Sequence, residues 1–167
     1  TLIGKIVGFV SANIHSSVSG TVLKLDKAID ASGYRRDAVF IKVEGDEWEE
    51  SIDRSPDLKK ECNLSSREIL DKIAAAGIVG MGGATFPTHV KLTPPPGSRP
   101  EILIINGVEC EPWLTSDHRL MMERTEEIMV GITIVMKALN VDKAIIGIEN
   151  NKKDALEKFG KCAEAYH

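Results

Sequence analysis

The sequence predicts an α/β protein in two parts. A β-rich domain covers residues 1–52, a linker covers 53–65, and a mostly parallel α/β domain covers 66–167. Three observations predict this. Within the first 50 residues, short apolar stretches are punctuated by Ser and Gly, and residues 39–43 alternate with a period of two. Around Pro56 the periodicity vanishes, and the composition becomes that of a linker. After residue 100, strand-length apolar runs alternate with helical stripes, which is the order of an α/β domain.

In the first part, Ile14, Val18, Val22 and Leu25 mark strands, with Gly20 and Gly33 where turns are expected. The acidic run over residues 46–50 reads as a solvated turn rather than a metal site. Next, Ser65 or Ser66 caps a helix with Glu68 in its first turn. Its stripe is Ile69, Leu70, Ile73 and Ala76, and Gly77 ends it. A PPPG turn occupies residues 94–97. The continuous apolar run over 102–105 fits a central parallel strand covered on both faces. From Ser116 the period is helical again, with Leu120, Ile128, Ile132, Val135 and Leu139 as its buried stripe. A strand over 144–148 follows, and a final helix over 151–165 turns Ala155, Leu156 and Phe159 inward.

Composition narrows the function classes. The 167 residues are 43% hydrophobic and 28% charged, as in ordinary globular proteins. A net charge of -4, with both signs interspersed, argues against a nucleic-acid surface or a polybasic membrane patch. No apolar run approaches the roughly 20 residues of a spanning helix. The most apolar helical stretch, 128–139, is short and interrupted by Lys137. The first residues lack the features of a secretory signal, so a cytosolic setting is the default, and the cytosolic face of a larger assembly would look the same. Cys62, Cys110 and Cys162 lie far apart, with no CxxC pair and no zinc or iron–sulfur spacing. A start at Thr1 and an end at His167 read as a piece of a longer protein.

The most informative segment is residues 80–91, GMGGATFPTHVK. Gly80, Gly82, Gly83 and Ala84 remove side-chain bulk, so that backbone N–H groups can approach a phosphate. Lys91 adds a positive charge. A tight turn whose glycines only permit positive φ is the other reading. The dinucleotide fingerprint is excluded, because the glycines follow a helix rather than a strand, and GK[ST] of a P-loop is missing.

A second constellation, residues 106–113 (NGVECEPW), follows the 102–105 strand. That is the carboxyl end of a parallel strand, where α/β sheets bind ligands. Asn106 both donates and accepts hydrogen bonds. Glu109 and Glu111 suit ribityl or ribose hydroxyls. A metal or general-acid role for the two acids lacks a histidine cluster or a third acid. Asp117 and Arg119 read as an ion pair ordering the next helix.

Together these residues carry a resemblance. The pattern Gly80-x-Gly82-Gly83-Ala84-x-Phe86-Pro87-Thr88-x-x-Lys91 resembles the flavin loop of the NADH-accepting flavoprotein of respiratory complex I and its relatives. The form GGATFPTHVKL followed by NGVECEPWLTSDHRLM is still more similar to the RnfC family of the Rnf ion-translocating complex, over roughly residues 65–150. The start is similar too: His15 to Val22 looks like the first hairpin of that family's small barrel-sandwich domain, related to biotinyl and lipoyl carriers.

The resemblance implies FMN held noncovalently and reduced by NADH, with electrons passed to iron–sulfur clusters outside this segment. No catalytic side chain and no metal ligand is implied within it. Gly80, Gly82, Gly83 and Ala84 would line the FMN phosphate and ribityl chain, Phe86, Pro87 and Thr88 would shape the loop, Thr85 falls within the same cofactor-binding set, and Lys91 would contact the flavin or its phosphate. Asn106 and Glu109 match residues that hold the flavin, and Glu111 a glutamate of the NADH region. Partners would be the other subunits of a membrane electron-transport complex, with the chain peripheral on the cytoplasmic side and not inserted in the membrane. Thr85 stands where the family carries glycine, Met81 where complex I relatives carry Arg, and Val108 where they carry an acid. A positive φ at Thr85 would strain its β-branched side chain.

Two other readings come from different classes: an assembly scaffold without cofactor, and a biotinyl- or lipoyl-like carrier. No lysine has the flanks of a carrier site, since Lys24 and Lys27 fall in the strand and turn after Gly20. His15 reads as a surface or turn histidine.

Overall fold

The computed structural model describes residues 1–166. The chain forms two compact units, one of Thr1–Pro56 with Ala74–Pro87, the other of Asp57–Ile73 with the chain from Thr88 onward.

In the first unit, β1 (Leu2–Gly4) pairs antiparallel with β2 (Ile14–His15), and β3 (Gly20–Ile29) with β4 (Arg35–Val43). The β3–β4 turn is organised by Asp30, whose Oδ1 accepts the N–H groups of Ser32 at 2.9 Å and Tyr34 at 3.1 Å. Lys27 and Asp37, directly opposite in the ladder, pair at 2.9 Å. No lysine occupies this tip, residues 30–34, where a swinging-arm carrier would attach its cofactor. Gly20, expected at a turn, is the first residue of β3. A Cβ there would lie 2.0 Å from the Lys42 carbonyl oxygen, so close strand approach requires the glycine.

Helix α1 (Ser66–Ala76) starts with a complete capping box. The Ser65 N–H donates to Glu68 Oε2 at 2.8 Å, and the Glu68 N–H to Ser65 Oγ at 3.4 Å. It stops at Gly77, whose φ of 69° is left-handed and whose Cβ would meet the Asn13 carbonyl oxygen at 2.1 Å. The last turn of α1, from Ala74 on, belongs to the first unit. There the Asn13 amide donates to the carbonyls of Ala74 (3.3 Å) and Ala75 (3.2 Å), while its Oδ1 accepts the Ile6 N–H at 2.9 Å. His15, exposed on β2, places Nε2 2.9 Å from the Ala75 carbonyl. The last helix carbonyls thus accept from side chains of the β1–β2 region, Ala74 in addition to the Gly77 N–H at 3.1 Å.

In the second unit, β5 (Leu103–Gly107) and β6 (Ala144–Ile148) pair parallel, Leu103 opposite Ala144 through Gly107 opposite Ile148. Segment 88–91, expected to remain loop, is a short helix α2 (Thr88–Lys91) that buries Val90. Helices α3 (Ser116–Glu123), α4 (Thr125–Leu139) and α5 (Lys153–Ala163) supply the core residues Met121, Met129, Ile132, Ala155 and Phe159. Leu103, Ile105, Ala144, Ile146 and Ile148 pack against that cluster.

Three expectations are corrected. The β5 strand is covered on one face only: Ile104 is 71% exposed and Ile145 45%, because among the described residues the core cluster meets only the alternate side chains. The helical stretch from Ser116 is two helices broken at Arg124, which shifts the phase so that Met121 is buried while Leu120 is 52% exposed. Leu156 is 41% exposed, since Ala155 and Phe159, one turn apart, define the inner stripe of α5.

The Asn13 side chain joins three backbone groups in one place. Asn13→Ala is expected to lower the unfolding free energy by about 1–3 kcal/mol, read from urea denaturation. An unchanged midpoint would show that water replaces those bonds without loss.

Candidate functional site

The predicted residues divide between the units. Gly80, Gly82, Gly83, Ala84, Thr85 and Phe86 belong to the first unit, and Lys91, Asn106, Glu109 and Glu111 to the second.

The glycine-rich loop is closed at its neck and open at its tip. An isolated antiparallel bridge joins Val79 to Pro87, and the Gly80 N–H donates to the Phe86 carbonyl at 2.9 Å. Pro87 is buried, whereas residues 81–86 are exposed. The N–H groups of Gly82, Gly83 and Ala84 make no hydrogen bond to the protein among the described residues. A Cβ at Gly82 or Gly83 would meet nothing within 4 Å, so the tip is unobstructed. These are the properties an anion- or polyol-binding loop needs: free amides and little side-chain bulk. Thr85 has a φ of 49°, in the left-handed region. A β-branched residue there is strained by about 1–3 kcal/mol.

In the second unit the site is built on the carboxyl end of β5. Asn106 accepts the Val108 N–H through Oδ1 at 3.1 Å, an Asx turn that leads the chain off the sheet. Its Nδ2 has no protein partner among the described residues. Glu109 is 8% exposed and spends both oxygens on the start of α3. Oε1 accepts the Asp117 N–H at 2.7 Å and the Ser116 hydroxyl at 3.0 Å, and Oε2 accepts the His118 N–H at 3.2 Å. Thr115, at the N-cap position, makes no side-chain cap, so a carboxylate six residues earlier does that work. Burial pushes the Glu109 carboxyl up, but these three donors outweigh it and hold it below its usual 4.5. Glu111 is exposed, and its carbonyl accepts the Leu114 N–H at 3.3 Å. Lys91 is exposed at the end of α2.

The expected Asp117–Arg119 pair does not form. Arg119 pairs with Glu123, because residues four apart share a helix face and residues two apart do not. Instead His118 bridges α3 to α5, with Nε2 3.0 Å from Asp154 Oδ2, and that contact holds the Asp154 carboxyl below its usual range. A cavity of about 180 Å³ opens at this end of the sheet, lined by Ile105, Asn106, Gly107, Asp117, Leu120 and Met121 among others. The larger cavity of about 440 Å³, between residues 16–20 and 46–50 of the first unit, contains none of the predicted residues. Sequence reasoning passed over Glu149, the first residue beyond β6, whose buried Oε2 has no partner among the described residues. Its position at a strand's carboxyl end was the available signal.

Because the Glu109 carboxyl sits lower in the folded chain than in the unfolded one, its stabilisation is complete above about pH 4.5 and is lost as pH falls through the folded value. Glu109→Gln should therefore be less stable than the native chain at neutral pH, with the difference shrinking in acid. Urea titrations at neutral and at acidic pH measure this.

Comparison with known proteins identifies two domains, the second of which includes residues 74–87 that the contacts group with the first unit. Residues 73–167 match the family model of the Nuo51 FMN-binding domain, and residues 1–46 that of the RnfC barrel sandwich hybrid domain. The C subunit of the proton-translocating ferredoxin:NAD(+) oxidoreductase complex of Clostridium ljungdahlii is 48% identical over 164 residues, 98% of this chain and 35% of that protein. The C subunit of the Na(+)-translocating ferredoxin:NAD(+) oxidoreductase complex of Acetobacterium woodii is 42% identical over 163 residues, 96% of this chain and 36% of that protein. The C subunit of the ion-translocating oxidoreductase complex of Rhodobacter capsulatus is 46% identical over 167 residues, 98% of this chain and 31% of that protein. The chain thus spans about a third of the length of these relatives. With a barrel sandwich hybrid domain followed by an FMN-binding domain, the chain belongs to the RnfC family of Rnf ion-translocating oxidoreductase complexes.

Proposed function

We propose that this chain is the FMN- and NADH-binding part of an ion-translocating ferredoxin:NAD(+) oxidoreductase subunit. The observation that carries the reading is the loop over residues 80–86, pinned at its neck and offering free amides at its tip, beside a match to an FMN-binding domain. In this proposal Gly80, Gly82, Gly83 and Ala84 meet the phosphate and ribityl chain, and Lys91 adds positive charge. Asn106 offers Nδ2 as a donor to the flavin ring. Glu109 supports Asn106 by holding the β5–α3 loop in place. Glu111, exposed and an acceptor, faces ribose hydroxyls of NADH.

Bound FMN would supply hydride acceptance and one-electron release, chemistry that belongs to the cofactor. The chain's residues orient and hold, and no side-chain base is required. Electrons would leave for iron–sulfur clusters carried outside this chain. Partner subunits of a membrane complex would hold the protein peripherally on the cytoplasmic side. Among the described residues no helix is long and apolar enough to cross a membrane.

Titrating FMN into the protein should quench flavin fluorescence saturably at micromolar concentration, and NADH should then bleach the flavin band. No saturable quenching would overturn the reading. Thr85→Gly frees the strained position and clears a methyl from the loop. We expect FMN affinity to rise severalfold in that variant, whereas equal or weaker binding would show that the threonine is accommodated.

A further inference from the structure

Among the described residues, three other than glycine have a left-handed φ: Thr85, Trp113 and Asn140. Asn140 is an ordinary helix C-cap, closing α4. Thr85 lies in the glycine-rich loop. Trp113 has no such local explanation. It occupies the third position of a turn in which the Leu114 N–H returns to the Glu111 carbonyl at 3.3 Å, with Pro112 second and a φ of 67° at the third. That is the pattern of a type II turn, whose third position belongs to glycine or asparagine. A bulky aromatic in this region is an outlier that the surroundings must enforce.

The same side chain is fully exposed, at 102%. The contrast with Trp48 is informative. The Trp48 ring lies under the Arg54 guanidinium, 4.7 Å from its centroid, and its Nε1 donates to Asp46 at 3.0 Å. The Trp113 indole has neither an aromatic, a cationic nor a hydrogen-bonding partner among the described residues. Its backbone, however, is held firmly. Glu109, buried against the start of α3, anchors the chain on one side, and Pro112 fixes the residue before. The turn sits past the carboxyl end of β5, and Glu111 at its first position presents a carboxylate that has no protein partner among the described residues.

We propose that Trp113 is a stacking platform for a planar ring of the dinucleotide substrate, with Glu111 accepting from its ribose hydroxyls. This rests on the reading of the chain as an NADH-binding subunit. A solvent-facing indole on a fixed backbone is matched to an adenine or nicotinamide face, and every such ring can stack on it. The turn fixes the backbone that carries the ring before the substrate arrives, so only the side-chain torsions are left to be ordered at the binding step.

The experiment uses the full-length subunit loaded with FMN, with Trp113→Phe, Trp113→Ala and Trp113→Gly variants. NADH dissociation constants should rise about tenfold for Ala and Gly and stay near the native value for Phe, while FMN affinity is unchanged in all three. Trp113→Gly should at the same time melt at a higher temperature, because glycine adopts the left-handed conformation freely. A residue with a merely structural role would move stability and NADH affinity in the same direction. NADH should quench the part of the native subunit's tryptophan emission that Trp113→Phe removes. Unchanged NADH affinity in the Gly and Ala variants overturns the platform. So does loss of assembly with partner subunits at unchanged NADH affinity, which would make the ring a docking contact. Failure of the native subunit itself to bind NADH overturns the parent reading instead.

Discussion

The buried carboxylate of Glu109 on the start of α3 is the contact around which the second unit's site is arranged. A helix begins with N–H groups that have no partner within it, and here a single side chain from the preceding loop satisfies two of them and a hydroxyl. The arrangement fixes both ends of the loop between β5 and α3. Asn106 closes an Asx turn at one end, His118 is tied to Asp154 at the other, and residues 110–114 are left to project outward. With its charge held by donors on the helix terminus, Glu109 supports the neighbouring residues rather than reaching freely into solvent.

The two family motifs differ from ordinary loops in where they hold strain. Thr85 and Trp113 both adopt a conformation that glycine would adopt without penalty. Each lies in a segment pinned on both sides by hydrogen bonds, the condition under which strained residues persist. In the glycine-rich loop the pins are the Val79–Pro87 bridge and the Gly80–Phe86 bond. In the β5–α3 loop they are Glu109 and the turn after Glu111. The stable parts of the fold thus hold the exposed parts in forms that local preference disfavours.

Within the first unit, the same logic of unsatisfied helix ends gives Asn13 its place. The last carbonyls of α1 accept from its amide, and Gly77 lets the chain pass within contact of the Asn13 backbone. The β3–β4 hairpin of the same unit is exposed along most of its length, with Leu23 at 63% and Leu25 at 78%. Its order comes from the Asp30 turn and cross-strand pairs rather than from a core of its own.

Local features were legible in the sequence because local chemistry decides them. The Ser65–Glu68 capping box, the stop at Gly77, the strand at 144–148 and the inner positions Ala155 and Phe159 all follow from spacing along the chain. So does the placing of Asn106 at a strand's carboxyl end, and the conditional strain at Thr85, since backbone sterics depend on a residue and its neighbours. The roles of Glu109 and Trp113 were not legible. A carboxylate seven to nine residues from its donors becomes a cap only when the loop folds back, and an aromatic's exposure depends on what packs around it. Nothing local announced that Ala74–Pro87 joins the N-terminal unit, or that one face of β5 lies open. By itself the sequence determined the elements, their caps and the two motifs, through propensity and steric limits acting over a few residues. Which acid is spent on a helix terminus, and which ring is left facing solvent, only the tertiary structure decided, because partners distant in the chain set those energies.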